Sequence, residues 1–204
     1  MGDPSKFSNL VLYYFFHISL LLMIVTEVVI FCYTFQKNGN SQKVTRADRG
    51  TKWLLMLNFY VCICVSFYMV SKSVAFNLRN FKLPVPFSYV GVILMLTGIV
   101  IRLWAVFTLK RAFTLSVQTA ETQHLITCGI YQKVRNPAYS GSICSLVGTA
   151  LGLRSFLALF IVVLFSVSCY SARIYIEEKA LIAHFGKEFL DYENHTYRLI
   201  PYIW

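Results

Sequence analysis

The chain has 204 residues and a net charge of +10, yet 57% of its residues are hydrophobic and only 14% are charged. With a mean hydropathy of +0.59, this composition excludes an ordinary soluble domain. The positive charge is accounted for by loops that face anionic lipid headgroups, and no nucleic-acid-binding module accompanies it.

A helix needs about 20 apolar residues to cross a hydrocarbon core about 30 Å thick, and the first such window covers 10–35. It is too long for a signal-peptide core and no small-residue cleavage site follows it, so it is expected to stay as an anchor. The start MGDPSK lacks the Ser or Thr of a myristoylation signal, and the end PYIW has no prenylatable cysteine. His17 and Glu27 lie in this window. The second window covers 53–76, and the third covers 87–109 and contains Arg102. Ionisable groups are costly in hydrocarbon, so Glu27 and Arg102 are expected either to pair or to reach towards an interface.

The segment 110–138 breaks the apolar pattern and holds clustered polar residues. Within it Gly129 favours a turn, and Pro137 suits the first turn of the next helix. Arg135, beside the N–H groups of that helix start, suggests a place for an anionic group. The apolar block 139–176 is too long for one crossing, and Gly152, Leu153 and Arg154 divide it into a hairpin of spans 139–152 and 155–176. Gly141, Gly148 and Gly152 share one face, as do Gly91 and Gly98 on the third span, so spans three and four are expected to meet along these stripes. A polar segment, 177–204, completes the chain. The fold class is all-α: one transmembrane domain, 1–204, with about five spans.

Positive residues favour the cytosolic side of short loops. With the N-terminus outside, Lys37, Lys43, Arg46, Arg49, Lys52, Lys110, Arg111, Lys133, Arg135, Arg173, Lys179, Lys187 and Arg198 fall on the cytosolic side, against Lys6, Arg79, Lys82 and Arg154 outside. The segment 110–138 and the C-terminus are therefore expected to be cytosolic. Of the six cysteines, five lie in apolar spans and no CxxC pair occurs, so neither a disulfide framework nor a metal site is expected.

Two blocks carry a family resemblance. LITCGIYQKVRNPAYSG resembles the L-V-x-x-G-x-Y-x-x-x-R-H-P-x-Y pattern of the isoprenylcysteine carboxyl methyltransferases, and RIYIEEKALIAHFGKEFLDY resembles that family's second block. The resemblance covers roughly Leu103 to Pro201, and the length is closest to the short five-span prokaryotic members. It implies an S-adenosylmethionine-dependent carboxyl O-methyltransferase acting on a lipid-like or prenylated acceptor, a small molecule or a protein C-terminus. The membrane would be the plasma membrane in a prokaryote or the endoplasmic reticulum in a eukaryote.

The same resemblance assigns cofactor contacts to Gln118, Gln123, His124, Leu125, Ile126, Tyr131, Asn136, Pro137, Ala138, Tyr139 and Glu177. It gives Arg173 the acceptor carboxylate, with Arg173 and Glu177 as the catalytic pair and no metal. Gln123 and Asn136 stand where the family has histidines; both keep hydrogen-bonding capacity but lose a titratable ring. Competing readings are a phospholipid or other amphiphile N- or O-methyltransferase, an NADPH-dependent sterol-reductase-like enzyme, and a non-catalytic membrane scaffold.

Overall fold

A computed structural model describes residues 10–38, 44–46, 51–75, 82–109, 118–120 and 124–204. Six helices follow in order: α1 (Leu10–Asn38), α2 (Thr51–Ala75), α3 (Pro86–Leu109), α4 (Pro137–Gly152), α5 (Phe156–Phe185) and α6 (Lys187–Asn194). Two three-residue strands, β1 (Val44–Arg46) and β2 (Gln118–Ala120), pair antiparallel, with Thr45 opposite Thr119. The architecture is otherwise all-α, as expected.

Of these helices, α1, α2, α3 and α5 are long and apolar enough to cross a membrane. α4, the expected fourth span, has only 16 residues, about 24 Å at 1.5 Å per residue. α5 runs past the expected end at 176 to Phe185, because the charged turn from Glu177 to Lys179 continues the helix as it leaves the apolar stretch. It stops at Gly186, whose φ of 55° suits a residue without a Cβ.

The connections sort onto two ends of the bundle. At one end β1, between α1 and α2, pairs with β2, between α3 and α4. At the other end the α2–α3 connection meets the α4–α5 turn: Leu83 N donates to Arg154 O at 2.9 Å and Arg154 Nε donates back to Leu83 O at 2.7 Å. α4 packs along α3 and ends at this second connection. Its turn with α5 places Arg154 at a φ of 61°, and Ser155 caps α5 by accepting from Ala158 N at 3.2 Å.

The glycine stripes meet as anticipated. A Cβ on Gly148 would lie 2.6 Å from Gly91 O, and one on Gly98 would lie 2.5 Å from Gly141 O, so only hydrogen atoms fit between these backbones. This seam seats α4 on α3. One hydrophobic cluster, of Met23, Phe59, Cys62, Ile99, Leu146, Ala150, Ala158 and Val162, joins the five long helices. Outward-facing Phe107, Phe160 and Tyr175 are among the apolar side chains left exposed, as a lipid-facing surface requires.

The ionisable residues of the spans also find a place. Glu27 and Arg102 pair, Arg102 Nη2 donating to Glu27 Oε2 at 2.6 Å, which selects pairing over reach to an interface. Arg102 Nη1 also donates to Ala138 O at 3.1 Å. A helix interior to the bundle tolerates this charge because both its partners are supplied by protein.

Candidate functional site

The first turn of α4 and the middle of α5 come together at the β-ribbon end of the bundle. Pro137 occupies the first position of α4, where its missing N–H leaves nothing unsatisfied. This start aims Tyr139 at α5. Arg173 and Glu177 sit one helical turn apart on the facing side, with Arg173 Nη2 3.5 Å from Glu177 Oε1. The Tyr139 hydroxyl joins them: it accepts from Arg173 Nε at 3.2 Å and donates to Glu177 Oε2 at 2.7 Å. Tyr170, a turn before Arg173, stacks its ring 5.2 Å from that of Tyr139.

Burial divides this group into a floor and a mouth. Arg173 has no exposed surface, whereas the Glu177 side chain keeps 23% of its own. A guanidinium so enclosed acts in a low-dielectric setting, where its charge-assisted hydrogen bonds are strong and the loss of a partner is costly. Such an arrangement keeps an enclosed positive charge one helical turn from a partly exposed negative one. The carboxylate of Glu177, at the mouth, can face a cation.

The remaining assigned residues differ in burial and in the partners they find. Tyr131, in a 3-10 turn over Gly129–Gln132, is buried, and its hydroxyl donates to Ala105 O at 3.4 Å. Burial pushes its phenol above the usual range, with Tyr139 and then Glu177 adding in the same direction, so it stays a hydrogen-bond donor. Gly129 begins that turn at a φ of 61°, the role expected of it. Leu125 and Ile126 are half-buried and His124 is exposed. Pro137 and Ala138 are buried. Gln118 lies in β2, and Gln123 lies outside the described residues.

Asn136 does not cap α4 with its side chain; its amide instead donates to Arg198 O at 3.1 Å. Arg135 is not left beside the helix start for an incoming anion, contrary to expectation. It donates to Glu178 Oε1 at 3.1 Å and to Glu193 Oε1 at 3.2 Å, and to main-chain carbonyls of Glu193 and Thr196. Glu178 is accordingly buried between Arg135 and Arg198. The roles of Arg198, Glu193 and Ser140 are not legible in the sequence, because each has a partner 20 to 62 residues away that no local spacing announces.

Among the described residues no cluster of His, Cys, Asp or Glu could hold a metal ion, and the six cysteines are unbridged. At the Tyr139 end the described residues offer a partly exposed carboxylate, that of Glu177, compatible with a cationic group such as the sulfonium or ammonium of S-adenosylmethionine.

Comparison with known proteins points the same way. The chain is 38% identical over 118 residues to a probable protein-S-isoprenylcysteine O-methyltransferase of Oryza sativa subsp. indica, a match covering 57% of this chain and 62% of that one. It is 35% identical over 115 residues to protein-S-isoprenylcysteine O-methyltransferase of Saccharomyces cerevisiae, covering 55% of this chain and 48% of the relative. The match therefore spans about half to under two thirds of these relatives' length.

The structure of the eukaryotic intramembrane Ras methyltransferase, isoprenylcysteine carboxyl methyltransferase, superposes with a TM-score of 0.62 at 28% identity, covering 71% of this chain and 52% of that one. Together with the apolar helices, this likeness makes the chain an integral membrane protein. The profile of the phospholipid methyltransferase family matches residues 87–188, half of the 204-residue chain. The chain belongs to the phospholipid methyltransferase family, and within it resembles the isoprenylcysteine carboxyl methyltransferases.

Proposed function

We propose that this protein is a membrane-embedded carboxyl O-methyltransferase that uses S-adenosylmethionine and a lipid-like acceptor such as a prenylated cysteine. The observation that carries the proposal is the fully enclosed guanidinium of Arg173, held by Tyr139 and one turn from Glu177. S-adenosylmethionine, when bound, supplies an electrophilic methyl group on a sulfonium. Glu177, with Tyr139, Tyr131, Asn136, Pro137, Ala138 and the stretch His124 to Ile126, would hold it, together with Gln118 and Gln123.

Arg173 then binds the acceptor carboxylate through two N–H groups and turns one oxygen towards the donor. A carboxylate is already a nucleophile at neutral pH, so no general base is required. The Tyr139 hydroxyl fixes Arg173 and Glu177 relative to one another, which sets the cation and anion subsites at a constant separation. Enclosure by α4 and α5 keeps water from both ions, favouring a reaction in which opposite charges cancel. The acceptor's apolar tail remains in the bilayer.

An amine acceptor is the alternative suggested by the family's description. A buried arginine repels an ammonium headgroup, so the carboxylate is favoured. Placement of the segment 110–138 and the C-terminus in the cytosol, where the cofactor is available, belongs to the same proposal. Calorimetry on the purified protein tests the donor: S-adenosylmethionine should bind with a Kd of about micromolar order and NADPH should not. The reverse preference would overturn the reading.

A further inference from the structure

Several residues on either side of Tyr139 are fastened to the C-terminal tail. Arg135 N donates to Tyr197 O at 2.8 Å, and Tyr197 N donates to Lys133 O at 2.9 Å. Asn136 Nδ2 donates to Arg198 O, and the Ser140 hydroxyl donates to Leu199 O. The Tyr192 hydroxyl donates to Tyr131 O at 2.7 Å. Leu199 is buried with Tyr170 and Ile174 of α5, and Tyr139 packs against that cluster. Lys133, Arg135, Asn136 and Ser140, which lead the chain into α4, thus lean on a segment lying beyond the family match at 188.

One charge cluster locks this strap to α5. Glu178 accepts from Arg135 Nε at 3.1 Å, and its second oxygen lies 2.8 Å from Arg198 Nη2. Glu193 lies 3.2 Å from Arg135 and 3.6 Å from Arg198, and the Arg198 guanidinium also sits 5.6 Å from the centre of the Trp204 ring. Glu178 adjoins Glu177 in sequence, so the cluster fixes α5 at the same level at which Tyr139 must reach Glu177. The tail is a brace between the two halves of the proposed site.

We infer that Arg198, bridging Glu178 and Glu193 and carrying the carbonyl that holds Asn136, is a positioning residue for the Tyr139–Arg173–Glu177 group. It touches none of the three; it acts through the first turn of α4. The inference rests on the proposed methyltransferase reading. Carboxylates each shared by two arginines, Glu178 buried and Glu193 half-buried, make such a cluster cooperative, and a displacement of about 1 Å at a reacting group costs up to about 100-fold in rate.

Amide hydrogen exchange and S-adenosylmethionine calorimetry on the full chain test it, using the unmodified protein, Arg198→Ala and Arg198→Lys. For Arg198→Ala the account expects faster exchange across 133–140, with α2 and α3 unchanged. It also expects a roughly 10-fold or greater weakening of S-adenosylmethionine binding, and substantial recovery of both in Arg198→Lys. Unchanged exchange at Arg135, or faster exchange with unchanged affinity, would overturn the positioning role alone. Failure of the unmodified protein to bind S-adenosylmethionine would overturn the functional reading together with it. A general loss of folding would appear as faster exchange in α3 as well, and would count against a local brace.

Discussion

Arg173 and Glu177 are separated by a single helical turn, yet one is enclosed and the other reaches the surface. In the proposed mechanism that difference gives them different tasks and different mutational signatures. Arg173→Ala should lower turnover by about 10²- to 10³-fold, the scale set by loss of one preorganised charge-stabilising group, while S-adenosylmethionine affinity stays within a few-fold; an active Arg173→Ala protein would remove the carboxylate anchor. Tyr139→Phe should be milder, about fivefold for one net hydrogen bond of about 1 kcal/mol, measured as kcat with saturating donor. Tyr131 and Tyr192, both held above the usual phenol range chiefly by burial, give a pH effect. Their unfolded pKa is about 10 and their folded pKa is higher, so stability is intact below about pH 10 and falls as pH rises towards the folded value. Thermal melting should therefore decline above about pH 10, and Tyr131→Phe should make that decline shallower. The pairing of Arg173 with Glu177 was readable from four-residue spacing on a helix. The capture of Arg135 by Glu178 and Glu193 was not, because it depends on where the tail returns.

At the level of elements, α4 depends on its contact with α3 more than on its own length. The small residues that create this contact are visible in sequence as Gly91 and Gly98 facing Gly141, Gly148 and Gly152, because seven-residue spacing keeps them on one face. Gly148→Leu would drive a side chain into Gly91 O and Met95, at a cost of about 1–3 kcal/mol. It should lower the thermal midpoint, and activity should fall too because α4 carries Tyr139. The extent of α5 was harder to read, since the charged turn after Ile176 resembles the end of a span although helix continues to Phe185. The tail's fold-back was illegible for another reason. Its fastenings are mainly donations to backbone carbonyls, such as Asn136 to Arg198 O and Arg135 N to Tyr197 O, and any residue supplies a carbonyl.

For the whole molecule, the two ends of the bundle define two sides: the β-ribbon, Tyr139 and the tail lie at one, and Leu83 with Arg154 at the other. Under the proposed orientation, which follows from the excess of Lys and Arg in the sequence segments on that side, the first end faces the cytosol. Exposed Cys128 should then react with a membrane-impermeant maleimide only when the cytosolic face is accessible, and the sequon at Asn194 should carry no glycan in a eukaryotic host. In the proposed mechanism this division would let a polar donor enter from water beside Glu177 while an apolar acceptor stays in lipid. The most direct test incubates detergent-solubilised protein with methyl-labelled S-adenosylmethionine and a panel of prenylcysteines, fatty acids and phospholipid amines. The account predicts base-labile methyl ester on a carboxylate acceptor, dependent on Arg173; label found only on an amine or a hydroxyl, or on no acceptor at all, would contradict it.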